Sequence, residues 1–205
     1  MPCAIKVIRK SKLNKSKIFQ QLNKNEFEIL EETNHPHITR VFELMEDSKN
    51  FYIVMELMTG GNLIEKLRAN QMHFTEVQVA SVVNQMLLAL NFMHSKNIMH
   101  RDIKPENIMC EDCEDLPNEK IYIKLTDFGF AVKYDPNKKE QLSVGTPLYM
   151  APELCERKPY DNKVDVWAVG VIAYYLLVGQ TPFMNRHQRR PDKIQEGIFH
   201  DIKTR

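Results

Sequence analysis

The sequence has no apolar run long enough to cross a membrane. Its longest, VDVWAVGVIAYYLLVG at 164–179, contains Asp165 and falls short of the roughly 20 residues a span requires. Charge of one sign is also scarce: 28 Lys and Arg against 27 Asp and Glu leave a net charge of +1. Nothing therefore draws the chain toward nucleic acid or an acidic lipid surface, and any anionic ligand has to be held by local geometry. Cysteine is sparse, with four residues, and the opening MPCAIKVIRK has neither the apolar run nor the small-residue cleavage site of a signal peptide. Both features point to a reducing, cytoplasmic setting. Cys110 and Cys113 form a C-x-x-C, but two further ligands at metal spacing are missing, so the pair reads as free thiols in a loop. There is no G-x-x-x-x-G-K-[ST] phosphate loop and no D-x-D-x-D-G calcium loop, which argues against a P-loop enzyme and against a calcium sensor within these residues.

What is present is ordinary globular material, 43% hydrophobic and 27% charged over 205 residues, enough for one large domain or two lobes around a cleft. CAIKVI (3–8) reads as a strand, apolar on both faces, with Lys6 on the face of Ala4 and Ile8. KIFQQLNKNEFEILEE reads as a helix with Ile18, Leu22, Ile29 and Leu30 in its apolar stripe and Glu26 on or beside it. ITRVFELMED and FYIVMEL read as strands joined by the turn DSKN, and TGGN breaks the chain after them. Helices then dominate. NLIEKLRAN is short. TEVQVASVVNQMLLALNFMHSK is long, with Val79, Val82, Val83, Met86, Leu87, Leu90 and Met93 on one face and a capping box from Thr75 and Gln78. After the strand IYIKLT comes a long loop, 127 to about 153, and then a helix from about 162 to 178. That helix is apolar nearly all round, which predicts burial on every side, and Gly179 and Pro182 stop it. The order predicts an α+β fold with a small sheet, one helix and a larger helical part.

One segment carries unusual chemistry. In IMHRDIKPENIM (98–109), His100, Arg101, Asp102, Lys104, Glu106 and Asn107 are enclosed by the apolar pairs Ile98–Met99 and Ile108–Met109. Apolar brackets hold charged groups rigidly at a cleft, as a positioned catalytic set requires. Lys6 is a second signal, because a lysine on an apolar strand face is costly unless paired. Glu26, Glu28 and Glu31 are all candidate partners by charge, and the apolar residues at 29 and 30 favour Glu26.

The ordered set AIK, HRDIKPEN, TDFGF (126–130) and APE (151–153) resembles the eukaryotic protein-kinase superfamily over essentially the whole chain. GTPLYMAPE and DIKPEN are similar to the serine/threonine type. PCAIKVIRKSKL, HPHITRVFELMED and YDNKVDVWAVGVIAYYLLVGQTPF look most like the calcium/calmodulin-dependent and calcium-dependent kinases. The resemblance implies transfer of the ATP γ-phosphate to protein hydroxyls with Mg²⁺. Asp102 would accept the substrate hydroxyl's proton or orient it, with Lys104 neutralising the phosphoryl group, and Asn107 and Asp127 would be metal ligands. It assigns Lys6 and Glu26 to a pair that reaches the phosphates, Glu56 and Met58 to backbone contacts with adenine beside the gatekeeper Met55, and Ala4, Leu63 and Met109 to its faces. Leu30, Val41, His100 and Phe128 would stack in a column standing on Asp165. It further implies a division into a small lobe at 1–55, a hinge at 56–61 and a large lobe at 62–205, a protein substrate, and a regulatory domain outside this chain.

Departures from the family pattern set further expectations. The glycine-rich loop would precede AIK, and the arginine partner of Glu153 would follow Arg205, so the resemblance leads us to expect a domain incomplete at both ends. A non-catalytic, kinase-like binding module is the competing expectation. Asn62 stands where basophilic relatives carry an acid, which leaves Glu106 to read basic substrates. Arg101 is the residue an activation-loop phosphate would neutralise. Leu142 occupies the usual acceptor position, Ser143 is the nearest hydroxyl, and Thr146 is expected to hydrogen-bond near Asp102 and Lys104.

Overall fold

In the computed structural model the described residues are 2–13, 28–30, 32–72, 74–111, 121–183 and 194–204. Most of the helix expected over 17–32, including Glu26, lies outside them, as does Cys113. The first part is a three-stranded antiparallel sheet in the order β1-β3-β2, with β1 Cys3–Arg9, β2 Val41–Glu46 and β3 Asn50–Glu56. A four-residue helix, α1 Lys10–Leu13, follows β1. The β2–β3 turn falls on DSKN, where the Asp47 carboxylate accepts the backbone N–H groups of Lys49 and Asn50. Strand β1 alternates as the two-residue period demands: Ala4, Lys6 and Ile8 turn inward. On the other face, equally apolar in sequence, Ile5 and Val7 are more than half exposed.

The remainder is mainly helical: α2 Leu63–Ala69, α3 Glu76–Ser95, α4 Pro152–Cys155, α5 Lys163–Val178 and α6 Ile194–Thr204. The capping box of α3 is formed as expected, Thr75 Oγ1 accepting from the Gln78 N–H and Gln78 Oε1 accepting from the Thr75 N–H. Its buried stripe is Val79, Val82, Met86, Ala89, Leu90 and Met93, with Val83 only half-buried. Leu87 was expected on that stripe but is 40% exposed, because position 87 lies about 100° around the helix from Met86. Helix α5 departs from expectation in the same way. Val164, Ala168, Val169, Val171, Ile172 and Leu176 are buried, yet Val166, Tyr174, Leu177 and Val178 are exposed. Apolar composition marked the pillar correctly but not burial on all sides, since apolar atoms supply much of any protein surface. Gly179 ends α5 in the left-handed conformation, φ 75°, and a Cβ there would meet the Met72 carbonyl at 2.8 Å.

Two short ladders frame the charged segment. β4 Ile98–Met99 pairs with β7 Val132–Lys133, and β5 Ile108–Glu111 pairs with β6 Tyr122–Leu125. Ile98, Met99 and Ile108 are fully buried, so the apolar brackets do anchor residues 100–107 at both ends. Strand β6 also joins the sheet region. The Thr39 N–H donates to the Leu125 carbonyl at 2.9 Å, and the Leu125 N–H donates to the His37 carbonyl at 2.9 Å. The architecture is the mixed helix-and-sheet arrangement the sequence predicts.

Candidate active site

The site is assembled around Asp165, which is 1% exposed at the start of α5. Its carboxylate accepts the backbone N–H groups of His100 at 3.0 Å and Arg101 at 2.8 Å, and contacts His94 Nε2 at 2.9 Å. A buried carboxylate needs such donors to offset its lost hydration. Here they fix the backbone where Arg101 adopts φ 68°, a left-handed conformation that costs a non-glycine residue about 1–3 kcal/mol. Of the expected column, the His100–Phe128 contact and its footing on Asp165 are seen. The His100 and Phe128 rings lie 5.2 Å apart, Leu30 and Phe128 are buried, and Val41 is half-buried beside the same core.

Asp102 comes next on this fixed loop and is 4% exposed. Lys104 Nζ donates to its Oδ2 at 2.7 Å, and the Thr146 hydroxyl donates to its Oδ1 at 2.8 Å. Lys104 also donates to Thr146 Oγ1 at 3.1 Å, closing a triangle and placing Thr146 where the sequence put it. Asn107 is the joint of the site. Its side-chain amide donates to the Asp102 carbonyl at 3.0 Å and to Asp102 Oδ2 at 3.1 Å. Its backbone carbonyl accepts from the Thr126 N–H at 2.9 Å, one residue before Asp127. With both amide hydrogens directed at Asp102, the side-chain oxygen is the Asn107 atom left to face a cation.

Asp127 is again left-handed, φ 62°, and its Oδ1 accepts from Lys6 Nζ at 2.8 Å. Burial pushes its carboxyl up, but the Lys6 charge and hydrogen bond together with His100 and the Gly129 N–H pull it down further. The net pKa lies below the ordinary carboxylate value. Lys6 was expected to meet Glu26, which lies outside the described residues; the described partner is Asp127. A cleft of about 190 Å³ opens between Lys6 and Asp127, with Ala4, Val41, Ile53 and Met55 on its walls. Glu56, Met58, Leu63 and Met109 are not part of its lining. Leu63 is fully buried in the main core, where it can support a ligand wall but not touch a ligand, whereas Met109 is half-buried. Asp127 lines this cleft and Asp102 lines a smaller hollow with Thr146 and Asp165, and Asn107 connects the two.

Several side chains named from the sequence are engaged in ways it did not predict. Glu56 is gripped by Lys124, whose Nζ donates to both carboxylate oxygens at 2.8 and 2.7 Å, and its Oε1 accepts the Arg40 N–H at 2.5 Å. Asn62 caps α2 in a reciprocal box with Glu65, so its side-chain oxygen is engaged by the Glu65 N–H at 3.0 Å. Asn-x-x-Glu before an apolar run was a legible signal for that cap. Arg101, expected to await a phosphate, is 5% exposed and already donates to the Phe130 carbonyl and the Tyr160 hydroxyl. Ser143 donates to the Leu154 carbonyl at 3.0 Å, beside a cavity of about 490 Å³ next to Thr146.

The protein kinase domain family matches residues 1–204. The chain belongs to the protein kinase superfamily. It is 41% identical over 197 residues to calcium-dependent protein kinase 5 of Plasmodium berghei (strain Anka), covering 96% of this chain and 33% of that protein. It is 40% identical over 183 residues to serine/threonine-protein kinase ULK3 of Rattus norvegicus, covering 89% and 37%. Myosin light chain kinase A of Dictyostelium discoideum is 38% identical over 180 residues, covering 88% and 59%. The chain thus spans between a third and about three fifths of the length of these relatives. No helix among the described residues is long and apolar enough to cross a membrane.

Proposed function

We propose that the chain transfers the γ-phosphate of ATP to serine or threonine hydroxyls of a protein substrate. The observation that carries this reading is Asn107, which binds Asp102 through its side chain and the Thr126 N–H, next to Asp127, through its backbone carbonyl. In this reading Asp102 takes up or orients the acceptor hydroxyl's proton. That role is worth about 10²–10⁴-fold in rate. Lys104, held between Asp102 and Thr146, brings a cation to the side where the phosphoryl group would arrive. Lys6 supplies the cation for the α and β phosphates.

Asn107 and Asp127 present an amide oxygen and a carboxylate, hard donors suited to Mg²⁺. Among the described residues there is no group of three or more His, Cys, Asp or Glu arranged to hold a metal, which fits an ion that takes one or two protein ligands plus phosphates. When bound, Mg²⁺ supplies charge neutralisation at the phosphates. The backbone of Glu56 and Met58 would meet adenine, with Ala4 and Met109 on its faces and Leu63 behind. The lobes would divide as 1–55, 56–61 and 62–205. The sequence similarities to serine/threonine kinases support the acceptor class.

Labelled ATP, Mg²⁺ and a generic basic protein test the proposal, with Asp102→Asn as control. Label transferred only by the unmutated chain is the expected result. Equal labelling by both would mean a contaminant, and no labelling by either would favour a kinase-like binding module.

A further inference from the structure

The segment between Asp127 and α4 is tied down at its middle by a residue that neither the motif set nor the mechanism above uses. Tyr160 is 2% exposed and lies just before α5. Its hydroxyl receives Arg101 Nη1 at 3.1 Å and donates to the Leu142 carbonyl at 2.7 Å. Its backbone exchanges two hydrogen bonds with Glu140, at 2.9 and 3.0 Å. Lys139 and Asp161 form an ion pair alongside. Arg101 in turn donates Nε to the Phe130 carbonyl at 2.7 Å, so one guanidinium spans the start of the segment and Tyr160. Three residues past Leu142, Gly145 has φ 115°, and a Cβ there would stand 2.6 Å from the Arg101 carbonyl. The next residue is Thr146, which holds Asp102 and Lys104.

We propose that Tyr160 is a positioning residue whose hydroxyl links Arg101 to Leu142, fixes residues 139–145 against the catalytic loop, and so sets Thr146 on Asp102 and Lys104. The inference rests on the kinase reading for its consequence in catalysis and on geometry alone for the link itself. The hydroxyl joins buried Arg101 to the backbone of Leu142, and the chain itself runs from there through Gly145 to Thr146. A phenol is well suited to the task because it accepts from a cation and donates to a carbonyl at once, which neither phenylalanine nor a carboxylate can do. Burial raises the phenol's pKa against the opposing pull of Arg101, so the donor proton stays in place at neutral pH. The same geometry occupies the Arg101 guanidinium without a phosphate on the segment.

The test is Tyr160→Phe, which deletes one oxygen, read in two ways on the full chain. Hydrogen exchange of the amides at 139–145 should accelerate about tenfold or more relative to the rest of the protein. In steady-state transfer, kcat should fall about tenfold while KM for ATP stays within about twofold. The double variant Tyr160→Phe with Thr146→Val should transfer no more slowly than Thr146→Val alone, because both changes break the same chain. Unaltered exchange at 139–145, or a double variant that loses the product of the two single effects, would overturn the proposal. If Tyr160→Phe does not melt cooperatively, Arg101→Lys keeps the charge, removes the Nη1 donor to the same hydroxyl, and carries the exchange readout at 139–145. If the unmutated chain transfers no phosphate, the kinase reading fails while the exchange experiment still decides the link.

Discussion

Asp165→Asn should both destabilise the fold and stop the chemistry. The substitution keeps volume and shape, so no cavity enters the comparison. The parent carboxylate accepts two buried backbone N–H groups through separate oxygens and also contacts His94. The amide keeps one acceptor and turns an NH₂ toward the other N–H, leaving that donor orphaned at a cost of about 1–3 kcal/mol. Loss of charge weakens the remaining contacts, so the total should reach about 2–4 kcal/mol. For a domain of this size each kcal/mol shifts Tm by about 2–4 °C, so the melting temperature should drop by roughly 5–15 °C. The backbone of Arg101, held at φ 68° by this carboxylate, should relax as well. Transfer measured well below the lowered Tm should therefore fall by more than the unfolded fraction explains. Asp201→Asn is the comparator. Asp201 is also buried on a helix, at 5% exposure, but its Oδ2 meets no hydrogen-bond donor among the described residues. Removing that charge relieves a desolvation cost, so Tm should hold or rise. Scanning calorimetry of both variants decides the matter: an Asp165→Asn melt within about 2 °C of the parent would refute the reasoning.

Thr146→Val removes the hydroxyl shared by Asp102 and Lys104 and should lower kcat about ten- to a hundredfold with little change in Tm, as read by initial rates and melting. Lys6→Met should raise the Asp127 pKa, observed by carboxyl NMR titration, because the largest opposing influence to burial is gone. The sign follows for stability. Asp127's folded pKa is depressed, so the Lys6–Asp127 contribution is complete above the ordinary carboxylate pKa and is lost as pH falls through the depressed value. The variant should lack that acid-side loss in a denaturation series. Iodoacetamide at pH 8 should label exposed Cys3 well before Cys155, whose thiol is pushed up to about 11 chiefly by burial. A thiol of that pKa is about 0.1% thiolate at pH 8, and mass spectrometry of labelled peptides reads the order.

Local signals in the sequence proved the most legible. Thr75 and Gln78 announced the start of α3, DSKN the β2–β3 turn, and Gly179 the end of α5, because each answers to hydrogen bonds or dihedral freedom within a few residues. The motif frame also put Thr146 beside Asp102 and Lys104, where its hydrogen bonds lie. Burial was less legible. The apolar residues Leu87 and Val166 are exposed because composition does not say which side of a helix meets a neighbour. Outside the motif set, long-range polar pairs were not legible. Lys124 with Glu56 joins residues 68 positions apart, Arg101 with Tyr160 joins residues 59 apart, and His94 with Asp165 joins residues 71 apart. Nothing in periodicity or spacing marks such partners, since each depends on how strands and helices from distant parts of the chain come together.

Magnesium and nucleotide together probe the central claim, that the Lys6–Asp127 cleft and the Asn107 joint hold one metal–nucleotide pair. Melting of the chain and of Asp127→Asn can be followed with ATP at about a hundred times its Kd, with and without Mg²⁺. Binding to the folded state alone should stabilise the unmutated chain by about 2.7 kcal/mol, a rise of roughly 5–11 °C. The magnesium-dependent part of that rise should vanish in Asp127→Asn. An equal rise in both proteins, indifferent to Mg²⁺, would contradict the account.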